Sequence, residues 1–232
     1  MAALLGLSEA LSLRAHGTLT TDMRLHVLER MELARLAIDA TSAELDCEGE
    51  RTQQAADYLA SQQAGLVQLV TVASILTAAA VSVASVLLST TNASPALQNS
   101  VGIGGAAVAA GLGFATLYVA PTIRFEHARN LLRDIWEGPA QSHVYPPIVW
   151  AYLSRATFSN AQDAPIRSKI VERFRVLGAT DDDAHIRKLL FEAGGQFDVA
   201  ALRAQASLLD QVKAEVALES QELEALARSL MR

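Results

Sequence analysis

The sequence predicts an all-α membrane protein in which a two-helix transmembrane hairpin is carried by a cytosolic helical bundle, assembled as an oligomer. Three observations lead there. Ala (42 residues) and Leu (33) supply 75 of 232 positions, whereas aromatic residues make up 5% and prolines number six, so the average residue favours helix over strand. Asp, Glu, Lys, Arg and His are all missing from positions 58–123, which crowds the 44 acidic, Lys and Arg residues into the remainder. On either side of that gap, apolar residues recur at the three- and four-residue spacing of a helix face.

From the start of the chain, residues 1–13 carry Glu9 and no basic leader, so they do not read as a signal peptide. Leu4, Leu7 and Leu11 would share one helical face, which either lies at the membrane interface or, the better reading, packs on a neighbour. Residues 22–64 read as one or two helices: Thr21 or Asp22 caps the start, Met23, Val27, Met31, Ala34 and Ile38 form an apolar stripe, and Gly49 is the expected break. Two apolar runs of membrane length follow, 66–88 and 101–120, about 34 Å and about 30 Å long as helices. Between them the polar segment 89–100, with Pro95, suits a turn that reverses the chain. The expected organisation is therefore 1–64 as N-terminal cytosolic helices, 65–121 as the hairpin and 122–232 as a C-terminal cytosolic helical domain.

Charge sets the expected orientation. Arg51 is the one basic residue in the 20 positions before the first span, the turn has none, and Arg124, Arg129 and Arg133 follow the second span at once. By the positive-inside tendency both termini are cytoplasmic, at a plasma (inner) membrane. Beyond the spans, 124–136 reads as an amphipathic helix stopped by Gly138 and Pro139, and Pro147 starts a helix bearing Val149, Trp150, Leu153 and Ala156. Asp163 would cap the next, with Ile166, Ile170, Phe174 and Leu177 inward and Gly178 closing it. Thr180 and the acids 181–183 would open another, ended by Gly194 and Gly195. Asp198 can cap a last helix reaching Met231, along which Leu202, Leu209, Val216, Leu223 and Leu230 recur every seven residues, with Ala206, Lys213, Ser220 and Ala227 as a weak second row. Either self-association or packing on its own domain would use that seam.

Side-chain chemistry inside the spans bears on function. Gly105, Ala109 and Gly113 sit four apart, a groove for close helix packing. Thr71, Ser74, Thr77, Ser82 and Ser85 put hydroxyls along the first span, where they either line a wet path or bond back to their own helix. Nothing charged lies within the spans, which argues against a proton relay or voltage sensor. Gly102, Gly104 and Ala107 mimic a dinucleotide fingerprint, but no strand precedes them, so helix packing is the better reading.

Elsewhere the chemistry is sparse. Cys47 stands between Asp46 and Glu48, whose charges discourage a thiolate, and a single cysteine makes no internal disulfide. No metal-ligand spacing occurs, and the acids at 181–183 fit a helix start better than a calcium loop. His127 and His143 read as ordinary core or surface residues. Residues 1–57 carry −5, 124–175 carry +3 and 176–232 carry −4. In the basic block, Arg124, Arg129 and Arg133 are candidates for contact with anionic lipid, or, with Arg155, Arg167 and Arg175, with an anionic ligand such as a nucleotide or oligonucleotide.

No nucleophile with an adjacent base and no cofactor motif is present, so an enzyme is the weakest class. The leading expectation is a homo-oligomeric channel or membrane-permeabilising effector, its partners the lipid bilayer, other copies, and an anionic regulatory ligand or a cytosolic partner protein. The alternatives are a non-conducting membrane-anchored scaffold or adaptor, and an α-helical pore-forming toxin with a soluble form. In the order of its elements alone, the chain resembles bacterial two-transmembrane-helix effectors of anti-phage defence. The resemblance implies regulated permeabilisation and carries over no site residue.

Overall fold

The computed structural model describes residues 1–15, 20–90, 94, 100, 104, 108, 121–127, 129–159, 164–176 and 184–231, the side chains of 14, 15, 85, 87–90 and 231 excepted. Among them the chain is mostly helical: α1 (Ala2–Leu5), α2 (Ser8–Ala15), α3 (Thr21–Thr90), α4 (Leu131–Glu137), α5 (Pro147–Ser154), α6 (Ile166–Val176), α7 (Ala184–Phe191) and α8 (Val199–Met231). A 3-10 turn (Ala156–Phe158) follows α5, and β1 (Ile123–Glu126) pairs with β2 (Gly194–Phe197). The contacts divide the chain into two units, 1–55 with 124–232, and 56–123. The segments before and after the uncharged stretch thus fold together as one body.

In the first unit, α8 is the core element. Its first half is buried on several sides at once, by Ala201, Leu202, Gln205, Ala206, Leu208 and Leu209, whereas its second half buries one stripe, Val212, Val216, Glu219, Leu223, Leu226 and Leu230. The seven-residue seam is therefore spent inside the chain's own unit. Its second row lies three residues on from the first, at Gln205, Val212, Glu219 and Leu226, and not at Lys213, Ser220 and Ala227, which are half-buried. From α3 the stripe Val27, Ala34, Ile38, Thr41 and Leu45 is buried in the same unit. Gly49 does not interrupt α3; it faces α8, and a Cβ there would stand 3.8 Å from Asp210 Oδ1 and 3.9 Å from Leu209 Cβ.

Local signals account for most helix ends. Asp198 Oδ1 accepts the Ala201 N–H at 2.7 Å, capping α8 as expected. Pro147 begins α5, and Gly138, at φ 68°, ends α4. Ile166, Ile170 and Phe174 are the buried face of α6, while Asp163, Leu177, Gly178, Thr180 and the acids 181–183 lie outside the described residues.

Three expectations fail. The N-terminal segment is two short helices hinged at Gly6, φ 70°, and it is Leu5, Leu7 and Ala10 that are buried. Residues 124–126 are strand, and α4 begins only at Leu131, where Asn130 Oδ1 accepts the N–H groups of Leu132 and Arg133 at 3.0 and 3.1 Å. Gly194 and Gly195 are strand as well: at Gly194, φ 92°, a Cβ would fall 2.3 Å from Phe125 O, so β1 can lie against β2 only where that position has no side chain.

In the second unit the described residues are chiefly the later turns of α3. This is the one helix among the described residues long and apolar enough to cross a membrane: its most apolar 18-residue window has mean hydropathy 2.1 and none of it is buried. Leu69, Ile75, Leu76, Val83 and Val86 are each 60% exposed or more. A half-buried row at Val70, Ala73, Ser74, Thr77, Val81 and Ala84 runs along one side.

Candidate functional site

The hydroxyls of the apolar helix are satisfied within it. Thr71, Ser74 and Thr77 each donate at 2.8 Å, and Ser82 at 2.9 Å, to the carbonyl four residues earlier. At 100° per residue, positions 71, 74, 82 and 85 fall within about 80° of arc, with 77 about 60° beyond it. Burial divides them: Ser74 and Thr77 belong to the half-buried row, Thr71 and Ser82 are exposed. Ser85 lies in α3 with its side chain outside the described residues, as do Gly105, Ala109 and Gly113 altogether.

The two junctions with the uncharged stretch are tied together inside the first unit. Arg51, on α3 four positions before the unit ends, lays its guanidinium over the Phe125 ring at 4.4 Å and donates to Glu126 O at 3.0 Å. Glu44, two turns earlier, accepts both hydrogen bonds from Arg129 Nη1, each 3.0 Å. Phe125 also packs edge-on against Phe197 and His127, with ring centroids 5.8 and 5.9 Å away. His127 in turn bridges a carbonyl and an amide: its Nε2 is 2.9 Å from Leu189 O and its Nδ1 3.2 Å from Gln205 Nε2. β1 is thereby held by α3, β2 and α8 at once.

The basic block is answered by acids of its own chain. Arg124 pairs with Glu126 at 2.6 Å, Arg129 with Glu44 and Arg133 with Glu137 at 3.1 Å, all of them in exposed pairs. Arg167 donates to the carbonyls of Ile135 and Trp136 at the end of α4, at 2.8 and 3.4 Å, and Arg175 stands over the Trp136 ring. Of the basic residues singled out from the sequence, Arg155 and Arg167 have no carboxylate partner among the described residues, and Arg167 is instead taken up by the two carbonyls. Exposed pairs add little stability and exchange readily with other ions, so Arg124, Arg129 and Arg133 are not preorganised as a pocket.

Two buried polar groups went unseen in the sequence. Asp134 is buried and organises the 142–145 turn: its Oδ2 accepts from Ser142 Oγ at 2.5 Å and from the His143 N–H at 3.1 Å. Glu219 is fully buried on α8, and neither carboxylate oxygen has a hydrogen-bond partner. Desolvation pushes its pKa up to about 8, so it holds a proton at neutral pH. Burial, and then the nearby Glu219, also raise the Tyr152 phenol. The signal for Glu219 was its place three residues after Val216 on the seam.

Among the described residues no cluster of His, Cys, Asp and Glu could hold a metal ion, and Cys47 is exposed. No protein-family model, curated protein or solved structure matches the chain.

Proposed function

We propose that this chain is an oligomeric membrane channel or membrane-permeabilising effector, gated through its cytosolic helices. In this reading α3 enters the bilayer, the run 101–120 returns as the second arm of a hairpin, and both termini are cytoplasmic at a plasma (inner) membrane. The carrying observation is the uncharged window of α3, none of which is buried although most of its large side chains are Leu, Ile and Val. Water gives no such surface a resting place, and lipid does. The clamp of Arg51 and Glu44 on β1 and Arg129 supports a gate, because a change in the cytosolic unit would be felt at both junctions together. As in two-span defence effectors, a signal received by the helical part would then open the membrane.

The test is leakage. Full-length protein reconstituted into dye-loaded phosphatidylglycerol vesicles should release the dye, and vesicles that stay sealed at high protein loading would refute conduction. Single cysteines at Thr71, Ser74, Thr77, Ser82 and Ser85 should label in one stripe with a water-soluble thiol reagent in the Cys47→Ala background.

A second reading is a non-conducting anchor for a cytosolic platform. It is favoured by the four back-bonded hydroxyls, which need no water to be satisfied. Absence of labelling at all five positions would select it.

A further inference from the structure

A cavity of about 380 Å³ lies where α1, α3 and α5 meet, within the range of ~300–1,000 Å³ typical of small-molecule sites. Its walls are apolar, with Leu5, Leu33, Ala34, Ile148 and Ala151 among them, and its two polar residues are both arginines, Arg30 and Arg155. No acid lines it. Arg30 is steadied by the hydrogen bond from its Nε to Leu5 O, 3.1 Å, which leaves both of its terminal Nη groups unused. Arg155 follows the last turn of α5, exposed, and neither guanidinium has a carboxylate partner among the described residues. Elsewhere in the unit arginines such as Arg35, Arg51, Arg129, Arg133 and Arg173 are answered by Asp or Glu. At the rim, Leu33 remains 55% exposed.

Two unanswered guanidiniums over an apolar hollow match one ligand chemistry, an anionic head on a hydrocarbon tail. We infer that this cavity binds an anionic amphiphile, its carboxylate or phosphate between Arg30 and Arg155 and its chain along Leu5, Leu33 and Ala151. The site itself stands without the proposed function; only a gating role for its ligand rests on that reading. A free fatty acid and a membrane phospholipid share this chemistry, and the experiment separates them.

Delipidated full-length protein in a neutral detergent is titrated with dodecanoate and examined by native mass spectrometry. One dodecanoate per chain is expected, with dodecanol and inorganic phosphate both failing to bind. Arg155→Gln, whose side chain makes no hydrogen bond or ion pair with the described residues of the folded unit, should weaken binding at least tenfold. Ala151→Phe, filling the hollow with both arginines kept, should do the same, with unchanged melting temperature in each variant. In nanodiscs, displacement of dodecanoate by phosphatidylglycerol but not phosphatidylcholine identifies the lipid as the source, and no displacement by either identifies the free acid. Binding equal in wild type and both variants, or competition by phosphate alone, overturns the site. Leakage is measured on the same samples: sealed vesicles with intact dodecanoate binding would remove the channel reading and leave this one standing.

Discussion

Replacing Glu219 by Gln removes a charge that the folded unit cannot hold. The wild-type carboxyl is fully buried without a partner, and its pKa rises from 4.5 to about 8. Between those values the folded chain keeps a proton that the unfolded chain has released, so stability falls as pH rises through that window. At about 1.36 kcal/mol per pH unit, the loss reaches about 3 kcal/mol at pH 7 relative to pH 4.5. Gln has the same shape and no charge, so it abolishes that slope while leaving an equally unpartnered polar group. The variant should melt within about 2 °C of wild type near pH 4.5 and about 6–12 °C higher near pH 7, taking 2–4 °C per kcal/mol for a unit of this size. Tryptophan fluorescence of the full chain in neutral detergent follows this directly, because Trp136 and Trp150, the two tryptophans of the sequence, both lie in the first unit. Parallel melting curves across pH, or a variant less stable than wild type at pH 8, would show that the carboxylate is paired or hydrated and refute the reasoning.

Other perturbations test the packing around the junctions. Gly194→Ala places a Cβ 2.3 Å from Phe125 O at φ 92°, and should cost about 2–4 kcal/mol, seen as a melting temperature lowered by roughly 5–15 °C. Arg51→Ala loses the contact over Phe125 and the bond to Glu126 O and should cost about 1–2 kcal/mol, with faster amide exchange in β1; Lys should restore only part of it. Tyr145→Phe removes the phenol that donates to Leu131 O at 2.6 Å in a buried site and should cost about 1–2 kcal/mol in denaturant titration. Arg124→Gln breaks an exposed pair and should change stability by no more than ~0.5 kcal/mol.

Much of the helical order was legible because its signals are local. The stripe from Val27 to Ile38, the cap at Asp198, the stop at Gly138 and the start at Pro147 each depend on residues within one or two turns. The length of the uncharged window was legible for the same reason. The small sheet was not. Ile123 to Glu126 is too short to establish an alternating pattern, and Gly194 and Gly195 look like a helix stop until Phe125 is known to approach them. On α8 the repeat of seven was plain, yet a step of four instead of three put Lys213 and Ser220 in the second row and left Glu219 unnoticed.

Charge taken by blocks of sequence does not locate ligand sites. The +3 of residues 124–175 drew attention to Arg124, Arg129 and Arg133, yet Arg129 is answered by Glu44, 85 residues away, and no count within a block contains that pair. The converse holds for Arg30, which lies in a block of −5 and would pass for neutralised. Among the described residues it is left without a carboxylate because the acids beside it turn elsewhere: Glu29 lies toward His26, and Glu32 lines the separate groove between α3 and α8. Arg155 comes to the same cavity from 125 positions later. A guanidinium is available to a ligand only when the fold, and not the composition, has left it unpaired, and a cavity whose polar residues are all of one sign is where that imbalance is kept. Anion recognition by this chain should accordingly follow Arg30 and Arg155 more closely than Arg124, Arg129 and Arg133.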